Sequence, residues 1–340
     1  MNPFSYHGAT SIEDGLRVLA EATPANSRLL AGGTDLLPLM KSGIERPQML
    51  IGLRRISDLP ADIKVKSDGT RLGALATLAQ IARHPILAEQ YPALTQAAQQ
   101  AASPQLRNMA TLGGTLLQRP RCEYFRSPGF HCWLKGGTVC HARTGSNEDH
   151  AVFDTGVCRA AHPSDLACAL AALDAEVELM SRRGLRCLPL VDFIQPPDDA
   201  RRSETVLAAE ELIVAVRLPS AKRLGRSIFL KTMKRNAWSF AQVSVAARLS
   251  LRAGLIESIE VVLGAVATTP WSIGPRLKAL RNEPYNDARM MSAVRSAIDD
   301  AQPLSMNAYK LPLARALTER ALRTLASEGA AERPEPRTAI

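Results

Sequence analysis

The segment Leu30-Ala31-Gly32-Gly33-Thr34-Asp35-Leu36 connects a short apolar strand to a helix. Its two glycines permit a tight bend and let backbone N–H groups approach an anion, and Thr34 adds a hydroxyl donor. Glycine pairs also occur in ordinary tight turns, so this segment alone does not identify a ligand. It predicts a strand-turn-helix unit near the N-terminus, with the helix starting near Leu36.

A second segment, Ala110-Thr111-Leu112-Gly113-Gly114-Thr115, offers the same chemistry about eighty residues later. One such turn binds a phosphate poorly, whereas two converging turns can hold a pyrophosphate from both sides. Neither segment fits Gly-x-Gly-x-x-Gly, so a Rossmann domain has little support. The pair predicts that backbone N–H groups at Gly32, Gly33, Gly113 and Gly114 face a dinucleotide.

The periodicity of the chain divides it into three units of an α+β protein. Residues 1–57 read as β-α-β, and residues 58–222 open with a hairpin across Asp68-Gly69. Residues 225–326 read as an antiparallel sheet followed by helices. The stretch 327–340 is rich in Ala, Pro and charge, which predicts a disordered tail.

Composition limits the classes of function. The 340 residues include 46% hydrophobic and 22% charged residues, an ordinary globular balance. The net charge of +9 comes from scattered Lys and Arg without a basic tract among aromatics, which does not indicate nucleic-acid binding. No apolar run has the length of a membrane span, and Met1–His7 does not begin a signal peptide. These features predict folding in the cytoplasm and leave export with a partner open.

A glycine-containing loop, residues 118–158, holds four of the six cysteines, Cys122, Cys132, Cys140 and Cys158. The absence of a Cys-x-x-Cys pair counts against a zinc ribbon, although three nearby histidines keep zinc open. Disulfides are disfavoured because the chain lacks a secretory signal and is large enough to fold without them. Four thiolates in one compact loop suit a 4Fe-4S cluster.

Basic residues in this loop are expected to stabilise the negative charge of thiolates and cluster, namely Arg119, Arg121, Arg126 and Lys135. The two remaining cysteines lie outside the loop. Cys168 falls in an apolar helix and Cys187 in a strand pattern, so both are excluded from the cluster.

A third motif, Pro163-Ser164-Asp165-Leu166-Ala167, stands at a helix start. Its ordinary interpretation is an N-cap, since Ser and Asp fill that position often. Its functional interpretation is a carboxylate that binds a ribose or an adenine.

Together these motifs resemble the FAD-binding (medium) subunits of the xanthine dehydrogenase family of molybdenum hydroxylases, over about residues 1–325. The resemblance implies a two-part FAD-binding domain of the PCMH type, followed by a C-terminal α+β domain of the CO dehydrogenase flavoprotein type. The two glycine segments are similar to the family's FAD loops, with Thr115 where Asn is usual. Asp165 would hold the adenosine half, and Lys231 would lie near the flavin and stabilise its negative charge when reduced.

The cysteine loop resembles the branch of this family that carries an additional iron–sulfur site, although Trp133–Gly137 replaces a more basic, Pro-containing stretch. The resemblance implies an electron-transfer subunit working with a large molybdenum-cofactor subunit and a small 2Fe-2S subunit. Electrons from an aldehyde or N-heterocycle would pass through FAD to an external acceptor. The complex would be cytoplasmic, or periplasmic if a partner carries a Tat signal.

No residue stands out as a general acid, base or nucleophile, so no catalytic residue is assigned. Two alternatives remain at this stage. One is a self-contained flavin oxidase of the PCMH type, which would need its own substrate site. The other is a zinc-stabilised binding protein, which would be colourless.

Overall fold

The structure is a computed structural model that describes residues 1–22, 26–235 and 237–331, with side chains to residue 327. Three sheets organise these residues, one of three, one of five and one of four strands. No helix within the described ranges combines the length and the apolar character needed to cross a bilayer.

The N-terminal unit is the predicted β-α-β fold. Its three strands are parallel in the order β1-β3-β2. Ser11 caps the first helix, because its Oγ accepts the Asp14 N–H at 3.0 Å. The elements are β1 Ser5–Gly8, α1 Ile12–Glu21, β2 Ser27–Leu30, α2 Leu36–Lys41 and β3 Met49–Gly52.

The middle unit surrounds an antiparallel sheet in the order β4-β5-β8-β6-β7. Its strands are β4 Ile63–Lys66, β5 Gly69–Gly73, β6 Glu176–Ser181, β7 Gly184–Pro189 and β8 Leu212–Pro219. Its helices are α3 Leu78–Arg83, α4 Pro85–Gln90, α5 Pro92–Gln100, α6 Pro104–Arg107, α7 Leu112–Leu116, α8 Glu123–Arg126, α9 Asp165–Ala172 and α10 Leu190–Phe193.

The helix α9 is buried on all sides, which explains its unbroken apolar sequence. It packs between α5 and the strands of the third unit. Cys168 is buried within it, and Cys187 lies in β7, so both positions match the sequence-based expectation.

The third unit is an antiparallel sheet with its helices on one side, as predicted. Its strands are β9 Arg226–Met233, β10 Ala241–Arg252, β11 Leu255–Gly264 and β12 Trp271–Ser272. Its helices are α11 Gly274–Leu277, α12 Asp287–Ile298 and α13 Lys310–Ala331. Residues 327–331 of the expected tail are therefore helical, and residues 332–340 lie outside the described ranges.

The cysteine loop has a small core of its own. Tyr124, Phe125, Trp133 and Leu134 are buried there together with Leu39 of α2. The loop therefore packs against the same helix that follows the first glycine segment. This contact brings the two predicted cofactor regions together.

Candidate functional site

The first glycine segment packs directly against the second. It spans the turn between the end of β2 at Leu30 and the start of α2 at Leu36. Gly33 has a φ of +72°, a conformation that favours glycine. A Cβ atom on Gly32 would lie 2.0 Å from the carbonyl oxygen of Met109. Glycine at position 32 is thus required for the two segments to touch.

The first segment has backbone donors available for a ligand. Within the described ranges, the N–H groups of Gly32, Gly33 and Thr34 donate to no protein acceptor. They line a cleft of about 530 Å³, here called the first cleft. Free N–H groups at a cleft wall are the groups that an anion needs.

The second segment uses its donors internally. The Gly113 N–H donates to the Ala74 carbonyl at 2.9 Å, and the Gly114 N–H donates to Thr111 Oγ1 at 3.2 Å. In this structure both N–H groups therefore have protein acceptors, and their contact with a pyrophosphate stays a prediction. Gly113 instead permits close packing, since a Cβ there would lie 3.3 Å from the Ala74 Cβ.

Ala110 and Thr115 also make contacts inside the protein. The Ala110 carbonyl accepts the Leu78 N–H at 3.0 Å, and Thr115 Oγ1 accepts from Gln118 Nε2 at 3.2 Å. The two glycine segments do converge, because Thr111, Gly113 and Gly114 line the first cleft together with Leu30–Leu36. Residues between 203 and 213 form its opposite wall.

A second cleft of about 430 Å³ lies between the middle and third units. Trp238 and Phe240 supply aromatic walls, and Asp149 and Lys234 supply charge. The Arg121 guanidinium stacks on the Phe240 ring, 4.5 Å from its centroid. Aromatic walls next to charged groups suit a planar, polar ring system.

Asp165 and Lys231 form a buried ion pair beside the second cleft. Lys231 Nζ lies 2.7 Å from Asp165 Oδ2, and the exposed fractions of the two side chains are 0% and 7%. Lys231 also donates to the Gln100 carbonyl at 3.1 Å. Burial raises the pKa of Asp165, and the charge of Lys231 opposes that rise.

This contact bears on the roles expected for the pair. Two side chains that touch do not reach opposite ends of an extended dinucleotide, which favours one end for both, and the end that they border stays a prediction. The charge of Lys231 is also balanced by Asp165. Ser164 does cap α9 as expected, since its Oγ accepts the Ala167 N–H at 3.1 Å.

The four loop cysteines face one small void, although they are far apart in sequence. All four are free thiols, and the void is otherwise lined by His141 and by apolar and aromatic side chains. Burial raises the pKa of Cys122 to about 12, and the N–H groups of Phe125 and Tyr124 that face its sulfur act against this. Burial likewise raises the pKa of Cys158, opposed by the Ala160 N–H.

The arrangement of the four thiols does not match the site of a single metal ion. No three His, Cys, Asp or Glu side chains of the described residues surround one ion position. In a cubane cluster each thiolate binds a different iron, so the sulfurs need not converge on one point. Backbone N–H groups directed at the sulfurs are a usual way of tuning such clusters.

The basic residues of the loop are directed elsewhere than expected. Arg121 and Arg126 pair with Asp35 at 2.8 and 2.7 Å, and Arg119 pairs with Glu204 at 3.0 Å. Lys135 donates to the Ser127 carbonyl. Carboxylates thus match two of the four positive charges, and the expectation that these residues also balance a cluster stays a prediction.

Sequence reasoning missed the residues that dock the far end of the loop. Asn307 Nδ2 donates to the carbonyls of His150 and Ala151 at 3.1 and 3.2 Å. Lys310 Nζ donates to the carbonyls of Asp149 and Ala265, and burial lowers its pKa to about 7. The sequence offered one signal for Lys310: it stands in the first turn of a helix, where the helix dipole disfavours a cation, so its side chain needs acceptors elsewhere.

Two family descriptions match nearly the whole chain. "FAD binding domain in molybdopterin dehydrogenase" matches residues 2–221, and "CO dehydrogenase flavoprotein C-terminal domain" matches residues 228–325. The chain belongs to the FAD-binding subunits of the xanthine dehydrogenase and CO dehydrogenase family. The predicted fold class is thereby confirmed, as is membership among the oxidoreductase subunits of molybdenum hydroxylases.

Individual relatives agree with this family assignment. The aldehyde oxidoreductase FAD-binding subunit PaoB of Escherichia coli K12 is 36% identical over 334 residues, covering 96% of this chain and 97% of that protein. The putative xanthine dehydrogenase FAD-binding subunit XdhB of the same strain is 25% identical, with 94% of each chain covered. A crystal structure of quinoline 2-oxidoreductase from Pseudomonas putida 86 superposes with a TM-score of 0.74 at 25% identity, covering 96% of this chain and 98% of that one.

Proposed function

We propose that this chain is the FAD- and 4Fe-4S-binding electron-transfer subunit of a molybdenum hydroxylase that oxidises aldehydes. Its partners would be a large molybdenum-cofactor subunit, where substrate is oxidised, and a small 2Fe-2S subunit. Electrons would leave the complex through FAD to an external acceptor. The complex would be cytoplasmic, or periplasmic if it is exported with a partner that carries a Tat signal.

The 4Fe-4S part of this proposal rests on the void lined by Cys122, Cys132, Cys140 and Cys158. Within a chain of the FAD-binding family, four free thiols around one apolar void have the donor set of an iron–sulfur cluster. The aldehyde assignment rests on the 36% identity to a subunit named as an aldehyde oxidoreductase.

The two clefts suggest how this chain holds FAD. The pyrophosphate would lie on the free N–H groups of Gly32, Gly33 and Thr34, next to the hydroxyl of Thr34. The isoalloxazine would enter the second cleft beside Trp238, and the Lys231–Asp165 pair would border it. The remaining residues of the two glycine segments would shape the first cleft by packing. Asp165 thereby moves from the adenosine side to the flavin side of the site.

Bound FAD supplies the redox chemistry, and this chain's residues bind it, orient it and set the charge around it. The ion pair of Lys231 and Asp165 is neutral overall, which limits how far it can stabilise a reduced flavin. No other titratable side chain is assigned a step on substrate. This fits a subunit that relays electrons and leaves substrate chemistry to a partner.

The test is anaerobic purification of the full-length chain, alone and with its natural partners. We expect a yellow-brown protein with one FAD, about four iron and about four sulfide per chain, and molybdenum only in the complex. A yellow protein without iron would refute the cluster, and zinc in its place would support the zinc-stabilised alternative. Aldehyde oxidation by the isolated chain would support the self-contained oxidase.

A further inference from the structure

The carboxylate of Asp35 joins the first glycine segment to the cysteine loop. Its Oδ2 accepts the backbone N–H of Arg119 at 2.8 Å. Its Oδ1 accepts from the guanidinium groups of Arg126 at 2.7 Å and Arg121 at 2.8 Å. One side chain thus holds three donors of the residues that precede and follow Cys122.

Asp35 does not perform the local task that its position suggests. It occupies the N-cap position of α2, where an aspartate commonly accepts a backbone N–H of its own helix. Here its side chain makes no capping hydrogen bond. Its carboxylate instead accepts hydrogen bonds from Arg119 and Arg126, which lie 84 and 91 residues further along the chain.

A second contact links the same two regions independently. Leu39 of α2 is 2% exposed and packs in the small core of the cysteine loop. The residues around Cys122 therefore contact α2 and the residue before it in two ways, through the hydrogen bonds of Asp35 and through the packing of Leu39. Asp35 and its neighbours Gly33 and Thr34 also line the first cleft.

We propose that Asp35 is a positioning residue that couples FAD affinity to assembly of the metal cluster. The inference rests on the proposed function, since it takes both cofactors as bound. When four thiolates hold a cluster, the segment 119–126 is fixed and presents its donors to Asp35. Asp35 then fixes the turn whose free N–H groups bind the pyrophosphate.

The physical basis is the cost of ordering. A cleft whose donors are already fixed binds its ligand more tightly than one that must be ordered on binding. Because coupling between two sites is reciprocal, bound FAD must strengthen cluster retention by the same factor. A coupling of typical size changes affinity by about fivefold or more.

The experiment measures the Kd of FAD for full-length, flavin-depleted protein by fluorescence titration. Each protein is titrated with its cluster present, and again after anaerobic removal of iron by a chelator with the thiols kept reduced. The variants are Asp35→Asn, which keeps the side-chain size, and Arg126→Gln, which removes one of the three donors. The matched control is Asp287→Asn, which removes a surface carboxylate that pairs with Arg323 and lines neither cleft.

In the wild-type protein and the control, we expect cluster removal to raise the Kd of FAD by about fivefold or more. In Asp35→Asn the ratio of the two Kd values should fall well below that of the wild type, with any remaining coupling carried by the Leu39 contact, and Arg126→Gln should give an intermediate ratio. A merely structural role would raise both Kd values equally and leave the ratio intact, which would overturn the proposal. Should Asp35→Asn not fold, an Arg126→Gln ratio equal to that of the wild type would overturn it.

The outcome separates this inference from the proposed function. A wild-type chain that holds both cofactors but shows no change of Kd on cluster removal refutes the coupling alone. A wild-type chain that holds FAD without iron or sulfide refutes the cluster and the coupling together.

Discussion

Of the glycine-to-alanine substitutions in the two glycine segments, Gly32→Ala should weaken FAD binding most. The new Cβ would lie 2.0 Å from the Met109 carbonyl oxygen, whereas ordinary contacts begin near 3.4 Å. The two segments must therefore move apart by about 1.4 Å, the difference between these distances. The contact is with backbone, so no side-chain rotation relieves it.

The energetic consequence follows from overpacking. Inserting a methyl group into a closely packed site costs about 1–3 kcal/mol, and a backbone contact belongs at the upper end of that range. We expect the free energy of unfolding to fall by about 3 kcal/mol. The Kd of FAD should rise about tenfold or more, because each 1.4 kcal/mol lost at the cleft is a factor of about ten.

Two other glycines provide graded controls. Gly113→Ala places its Cβ 3.3 Å from the Ala74 Cβ, so it should change the Kd of FAD little. Gly33→Ala meets side-chain atoms, Leu37 Cδ1 at 2.8 Å and Leu30 Cδ1 at 3.3 Å, and must keep a φ of +72°, which costs about 1 kcal/mol. The assays are urea unfolding and flavin fluorescence titration. A Gly32→Ala protein with wild-type Kd, alongside a Gly113→Ala protein that loses FAD, would refute this reasoning.

Three further perturbations test other parts of the structure. Cys132→Ala should lower the iron content well below about four per chain while the circular dichroism spectrum stays native, and full iron occupancy would reject Cys132 as a ligand. Asp165→Asn leaves the charge of Lys231 buried without its partner, which should lower the free energy of unfolding by about 3–5 kcal/mol. Urea titration measures this change, and an unchanged unfolding midpoint would contradict the ion pair. Burial lowers the pKa of Lys310 in the folded protein to about 7, below its value in the unfolded chain. Between these two pKa values the unfolded chain binds more protons than the folded protein, so the free energy of unfolding rises with pH. Lys310→Met should remove up to about 1.4 kcal/mol per pH unit from this slope between pH 8 and 9.5, and equal slopes in both proteins would exclude the shifted pKa.

Local patterns of the sequence predicted the elements well. The caps at Ser11 and Ser164 and the antiparallel third unit all follow from short-range rules on capping and side-chain alternation. That each glycine segment forms a turn before a helix was predictable in the same way. These features depend on residues a few positions apart.

The acceptors of the N–H groups in the second glycine segment could not be predicted from local patterns. Whether the Gly113 N–H faces a ligand depends on Ala74, which comes from a different part of the chain. The sequence shows which residues permit a close approach, but the partner that approaches is set by tertiary packing. At Gly113 that partner is a protein carbonyl.

The same reasoning explains why the carboxylate partners of these charges were not predicted from the sequence. Arg121 and Arg126 stand beside Cys122 in sequence, which suggested that they serve the cluster. The structure gives both to Asp35, because a half-buried carboxylate needs donors and the loop folds back across α2 to supply them. Lys231 and Asp165 satisfy each other for the same reason, at a separation of 66 residues.

These two ion-pair groups differ in net charge, and the difference bears on function. The pair of Lys231 and Asp165 sums to zero, whereas Asp35 with Arg121 and Arg126 sums to +1. That surplus lies where the first cleft, the second cleft and the cysteine loop adjoin, since Arg121 contacts Phe240 and precedes Cys122. An anion bound in either cleft, or a thiolate-ligated cluster in the loop, would each be attracted to it. The junction at Asp35, more than Lys231, is therefore where this chain can favour negative charge on its cofactors.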